Sequence, residues 1–196
     1  MLSVDDLVLD PARYALLRPS LRADAIELRR RRRLPVGDLL ALEFESAATL
    51  RYQAQEMLYV ERVTDPDRAA EELTAYDRLL PGSSAVTATL LVEIADQDRV
   101  KPELERLAGL HERVRLEVGE MRCPARDVPP PDDAPSERTY SVHFLRFDVP
   151  AEAAQALRGD VPARVVVDHP EYAVSADLPP ALRAELVADL TGAAEG

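Results

Sequence analysis

Sixteen prolines spread over 196 residues set the grain of this chain. Each removes a backbone donor and disfavours a helix interior, so the prolines punctuate the chain. The densest cluster, Pro129-Pro130-Pro131-Asp132-Asp133-Ala134-Pro135, has neither apolar periodicity nor helix-forming character, and about 124–137 reads as an exposed loop. The strand-like segments before and after it look like neighbours in one sheet. That favours a single domain over residues 1–196 with a long Pro-rich loop at 124–137, not a linker between two domains.

Between the prolines, the N-terminal part reads as helical. Asp10-Pro11 is a cap with a first-turn proline, opening a short helix to about Arg18; Pro19-Ser20 restarts a second, from Leu21 to about Arg33, which Leu34-Pro35-Val36-Gly37 ends. Leu39 to Glu45 alternates as a strand, Ser46 caps a helix to about Val63, and Asp65-Pro66 caps another to about Leu80. Strands dominate afterwards: Val86 to Ile94, Arg113 to Met121, Thr139 to Val149, Arg164 to Val167 and Tyr172 to Ser175. Helices are expected at about 98–108, 151–157 and 181–190. The pattern predicts an α+β fold, a mainly antiparallel sheet of about five or six strands with helices packed on one face.

The charge is lopsided. The chain carries a formal −12, yet residues 11–33 hold eight arginines against Asp24 and Glu27, a local +6 that leaves −18 elsewhere. Most of the surface should repel nucleic acid, and only the basic end could hold an anion. One cysteine, Cys123, excludes a disulfide framework and a Cys-ligated cluster. Seven scattered glycines form no phosphate-cradling loop, no glutamate stands three residues before a histidine as in di-iron bundles, and Gly-x-Ser-x-Gly is absent. No cofactor is therefore predicted. With no long apolar run and an acidic start, Met1-Leu2-Ser3-Val4-Asp5-Asp6, the expectation is a cytoplasmic protein without membrane association.

Several residues stand out. In the helix after Ser46, Ala47, Leu50, Ala54, Met57 and Leu58 form one stripe, and Glu61 falls inside it, a carboxylate aimed at the core that needs a cation, a metal or a proton. Glu56 points nearly the opposite way. Within Arg29 to Arg33, consecutive residues point in every direction, but Arg32 lies on the inward stripe of Leu21, Ala25 and Leu28 and is the expected partner of Glu61. Arg29, Arg30, Arg32, Arg33 and, in a later strand, Arg146 are the candidate anion- or partner-binding cations. His143 sits in a strand apolar on both faces, and His169 follows Asp168 at a strand end. These histidines are the candidate metal ligands and, with Glu56 or Glu61, could form a two-histidine, one-carboxylate catalytic site. His111, beside a loop after Gly109, carries less signal.

The words Arg51-Tyr52-Gln53-Ala54-Gln55-Glu56-Met57-Leu58 with Glu61-Arg62, His143-Phe144-Leu145-Arg146-Phe147 and Asp168-His169-Pro170-Glu171-Tyr172 occur together in this order. Together they make the chain resemble a bacterial family known as domain of unknown function 3501, over nearly its whole length. The resemblance assigns no catalytic role. It implies a context, because such genes often lie beside those for rubrerythrin-like di-iron proteins and iron–sulfur oxidoreductases. The expected function is a non-enzymatic accessory or adaptor in an iron-linked redox or peroxide-defence system, whose basic helix end or Tyr52 and Tyr59 flank meets such a partner. The alternative is a metal-dependent or anion-handling enzyme built on His143, His169 and a carboxylate. A homodimer is compatible with a helix-rich acidic domain, although no residue specifies one.

Overall fold

A computed structural model describes residues 1–128 and 140–192. The described elements, in chain order, are α1 (Pro11–Arg32), β1 (Arg33–Val36), β2 (Leu40–Phe44), α2 (Ala47–Val60), α3 (Pro66–Asp77), β3 (Ala85–Val92), α4 (Gln97–Arg106), β4 (Val114–Val118), β5 (Met121–Asp127), β6 (Val142–Asp148), α5 (Ala151–Arg158), β7 (Ala163–His169), β8 (Tyr172–Asp177) and α6 (Pro180–Thr191), with 3-10 turns at Val4–Asp6 and Leu110–Arg113. The class is α+β, as expected. The sheet is larger than expected, eight strands in the order β1-β2-β3-β6-β5-β4-β7-β8, every neighbour antiparallel.

The first departure from the sequence reading is at Pro19. Asp10 caps α1 by accepting from the Ala12 amide at 2.9 Å, as its position predicts, but the helix runs through Pro19 without restarting. A proline inside a helix deprives the carbonyl four residues back of its partner, at about 3 kcal/mol. Here the ring lies on the exposed face, where the Ala15 carbonyl can turn to water. The second departure follows that helix: Leu34-Pro35-Val36-Gly37 is expected as its stop, but Arg33–Val36 forms edge strand β1 and pairs with β2, Leu34 opposite Leu42. The third lies in the proline-rich stretch. Residues 124–127, expected as loop, continue β5, whose Ala125 opposes Phe147 of β6; the segments flanking the prolines are indeed sheet neighbours. The stretch from 129 to 139 lies outside the described residues.

Helices cover both faces of the sheet, not one. The larger core joins inward residues of the strands, such as Leu42, Leu90, Leu116, Leu145 and Val165, to Leu104 and Leu107 of α4 and its exit, Leu157 of α5, and Leu182 and Leu186 of α6. Alternation turns Phe144 to the opposite face, where it packs, partly buried, against a second cluster that includes Leu50 and Ala54 of α2 and Leu73 of α3. Edge strands β1 and β8 share no ladder, but a side chain bridges them. The Tyr172 hydroxyl accepts from the Asp38 and Leu39 amides at 3.0 and 3.1 Å and donates to Asp38 Oδ1 at 2.8 Å, so the sheet is nearly closed. Gly37 makes this possible: its φ is +70°, and a Cβ there would lie 2.2 Å from the Tyr172 oxygen.

Candidate functional site

Two concentrations of polar side chains contain residues that the sequence singles out. The first is one end of the sheet, where Asp127 closes β5 and His143 lies near the start of β6. Asp127 opposes Leu145 in the ladder, and His143 lies two residues before Leu145 on the same face, so the pleat makes Asp127 and His143 diagonal neighbours. The Asp127 Oδ1 to His143 Nδ1 distance is 3.9 Å. The 3-10 turn leading into β4, entered through Gly109 at φ +79°, adds His111, whose ring stacks on that of His143 with centroids 4.3 Å apart and planes 12° from parallel. Each of the three residues offers a ligand atom, and these atoms lie within 4.8 Å of one another. His143 is 5% exposed, His111 half-buried and Asp127 open to solvent at the rim. Among the described residues His111 Nδ1 is buried without a hydrogen-bond partner, an unmet demand of the kind an ion or a proton-sharing group satisfies.

The donor set, two imidazoles and one carboxylate with an open rim, suits a divalent first-row ion. Two donors on one ion at about 2.1 Å each are at most about 4.2 Å apart. A closed site therefore requires a small contraction and a turn of one stacked ring about its Cβ–Cγ bond, and His111, on a turn and half-buried, is the ring with room. His143 belongs to this cluster, whereas the companions expected for it, His169 and Glu56 or Glu61, do not. His169 is engaged elsewhere: Nε2 donates to the Ala108 carbonyl at 3.0 Å and Nδ1 accepts from the Glu171 amide at 3.3 Å, so neither nitrogen has a lone pair for a metal. Cys123, opposite Leu116 in the sheet, is buried and burial pushes its thiol pKa up, which fits its lack of a nucleophile's surroundings.

The proposed carboxylates sit on α2, away from this cluster. Glu61 is not aimed at the core; it caps an α2 that already ends at Val60, and it is exposed because the helical stripe stops before reaching it. Glu56 faces α1, where its Oε1 accepts from the Tyr14 hydroxyl at 2.6 Å and its carboxylate receives Arg18 at 2.8–3.2 Å. The Arg18 hydrogen bonds, then that of Tyr14, hold the Glu56 carboxyl below its usual range, while burial and then Glu56 push the Tyr14 hydroxyl up.

The second concentration is the basic end of α1, and it is mostly self-neutralised. Arg32 is 2% exposed, as its stripe predicts, but its partner is not Glu61. It makes a two-pronged pair with Asp189 of α6 at 2.8 Å, reaches Glu185 at 3.1 Å and donates to the Glu45 carbonyl at 3.0 Å. Arg30 pairs with Glu27, Arg31 with Glu185, and Arg33 with Glu43 and Glu93. Arg146 lies 3.7 Å from Asp148 and donates to the Leu80 carbonyl. Arg29 differs, lying over the Tyr52 ring at 5.9 Å. With Arg18 and Arg22 it lines a groove of about 540 Å³ between α1 and α2, walled by Tyr52, Glu56, Met57 and Tyr76 among others. Arg18, Arg22 and Arg29 recur four and seven residues apart on one helical face, a signal the run Arg29 to Arg33 overshadows in the sequence.

Comparison with known proteins agrees with the sequence words. Residues 1–190 match the family described as "Protein of unknown function (DUF3501)". A solved structure from Burkholderia pseudomallei K96243, described as a novel protein of unknown function, is 34% identical, covers 96% of this chain and 98% of its own, and superposes with a TM-score of 0.87. No curated protein matches.

Proposed function

This chain belongs to the DUF3501 family, whose activity is unassigned, and from its own geometry we propose that it binds a divalent transition-metal ion of the iron type at His111, Asp127 and His143. The observation that carries the reading is the convergence of these three side chains, from a turn and two strands, to within 4.8 Å at a rim open to solvent. His143 and Asp127 are set by the sheet register, and His111 Nδ1 supplies the unmet donor or acceptor. The protein works with this ion as an accessory in an iron-linked redox or peroxide-defence system, handing to or holding for an iron–sulfur or rubrerythrin-like di-iron partner. The family resemblance supports that setting, and the two-imidazole, one-carboxylate donor set supports the ion. Among the described residues no helix is long and apolar enough to cross a membrane.

The test is metal stoichiometry measured by elemental analysis on untagged protein titrated anaerobically with Fe(II) and, separately, with Zn(II). One ion per chain is expected for the parent and for His169→Ala. His143→Ala and His111→Ala should each bind at least tenfold more weakly with their far-ultraviolet spectra unchanged. Equal binding by all four proteins, or no binding by the parent, overturns the reading.

A further inference from the structure

We propose that the groove between α1 and α2 is a docking site for an acidic amphipathic helix of a partner protein. This inference is independent of the metal site. Its floor and walls combine two kinds of surface that a lone protein gains nothing by exposing together. Ile26 is 59% exposed, Met57 41% and Val60 67%, an apolar strip between the helices. Beside it stand Arg22 and Arg29, neither with a carboxylate partner among the described residues, although the chain carries 36 acidic residues and its other basic-end arginines have found them.

The groove is also held in shape from within. Glu56 clamps Arg18, which stacks over Tyr59 at 5.2 Å, and accepts from Tyr14, so the negative charge inside the groove is already neutralised by Arg18. The charge left for an occupant is the pair Arg22 and Arg29, with Arg29 steadied by the Tyr52 face. An anionic occupant with an apolar side therefore complements the groove on both counts.

Spacing selects the form of that occupant. Arg22 and Arg29 lie seven residues apart on α1, about 10.5 Å along its axis. A partner helix presents side chains on one face at the same two-turn interval, with its i+3 and i+4 positions falling between them over Ile26 and Met57. An extended peptide repeats one face at about 6.7 Å and about 13.4 Å, which fits neither arginine pair nor strip. The occupant is thus a helix with acidic residues seven apart and apolar residues between, laid along the groove.

The experiment uses the full chain and a synthetic, fluorescently labelled helix-forming peptide of roughly 18 residues, long enough to hold helix in isolation. It carries Glu at two positions seven apart and Leu at the intervening i+3 and i+4 positions. Anisotropy titration should show saturable, salt-sensitive binding that falls roughly tenfold or more in the double variant Arg22→Glu, Arg29→Glu. Binding should persist in Arg13→Glu, Arg30→Glu, which changes net charge equally outside the groove; melting curves check that both variants fold. Equal binding of a sequence-scrambled peptide, equal loss in both variants, or absence of binding overturns the proposal. So does displacement of the peptide by millimolar inorganic phosphate, which would make the groove a small-anion site. A chain dimer that Arg22→Glu, Arg29→Glu dissolves would overturn it too, because the occupant would then be a second copy.

Discussion

The C-terminal end of α1 and the histidine end of the sheet are two places where this chain gathers polar side chains, and they differ in how far those side chains are paired. At the first, Arg32 is buried, yet two carboxylates and a backbone carbonyl surround its guanidinium, and Arg30, Arg31 and Arg33 each have an acidic partner. At the second, a buried imidazole nitrogen of His111 has no hydrogen-bond partner among the described residues, and the Asp127 carboxylate stands 3.9 Å from the neighbouring His143. Residue type drew attention to the arginines first. Each place leaves one buried nitrogen without a hydrogen-bond partner among the described residues, Arg32 Nε and His111 Nδ1. The Arg32 Nε–H can only donate and its two terminal nitrogens are held by oxygens, so of the two it is the His111 imidazole that can offer a lone pair to an ion.

The comparison breaks most visibly at Asp189. If the Arg32 pair is structural, Asp189→Ala leaves a buried guanidinium short of its best partner and lowers stability by about 3–5 kcal/mol, read as the shift in urea midpoint at constant slope. Metal stoichiometry of the folded fraction should not change. A smaller effect is expected at His169, whose ring bonds two backbone groups. His169→Ala should cost about 1–3 kcal/mol by leaving the Ala108 carbonyl unmet, again without loss of the ion, which separates a structural histidine from a ligating one in a single pair of assays.

The smallest effect is at Tyr14. Tyr14→Phe removes one hydrogen bond to Glu56 and should cost about 1 kcal/mol at neutral pH. Its sign with pH follows from Glu56, whose folded pKa lies below its unfolded value. The stability so contributed is present above the unfolded pKa and is lost as pH falls through the lowered folded one. Losing Tyr14 lets the folded pKa rise part of the way back, since Arg18 remains, so the variant's deficit should be largest at pH 7 and shrink below pH about 4. A deficit that grows in acid would mean that the hydroxyl supports something other than the Glu56 carboxylate.

Local signals in the sequence carried local structure well. Asp10, Ser46 and Asp65 each cap the helix they were expected to cap, because a cap involves only its own first turn. Strands β3, β6 and β7 follow their branched, alternating residues. What the pattern missed is non-local. Strand β1 is four residues with a proline, and it exists because β2 offers it a ladder. The near closure rests on Tyr172 reaching the Gly37 turn, far away in sequence. The candidate site failed to show for the same reason: His143 was visible in its strand, but Asp127 lay in a stretch that read as proline-rich loop, and His111 had no periodicity to mark it. The β5–β6 register brings Asp127 beside His143, and the turn leading into β4 adds His111. Arg32 shows the converse case, since the helical period predicted its burial correctly while its partner, on the last helix, could not be read from neighbouring residues.

The central claim is that His111, Asp127 and His143 hold one ion, and anomalous diffraction from crystals grown with Co(II) tests it most directly. One strong peak about 2.1 Å from an imidazole nitrogen of each histidine and a carboxylate oxygen of Asp127, with the His111 ring turned out of its stack, is the expected result. A peak elsewhere, or none at saturating Co(II) with the two rings still parallel, would contradict the account.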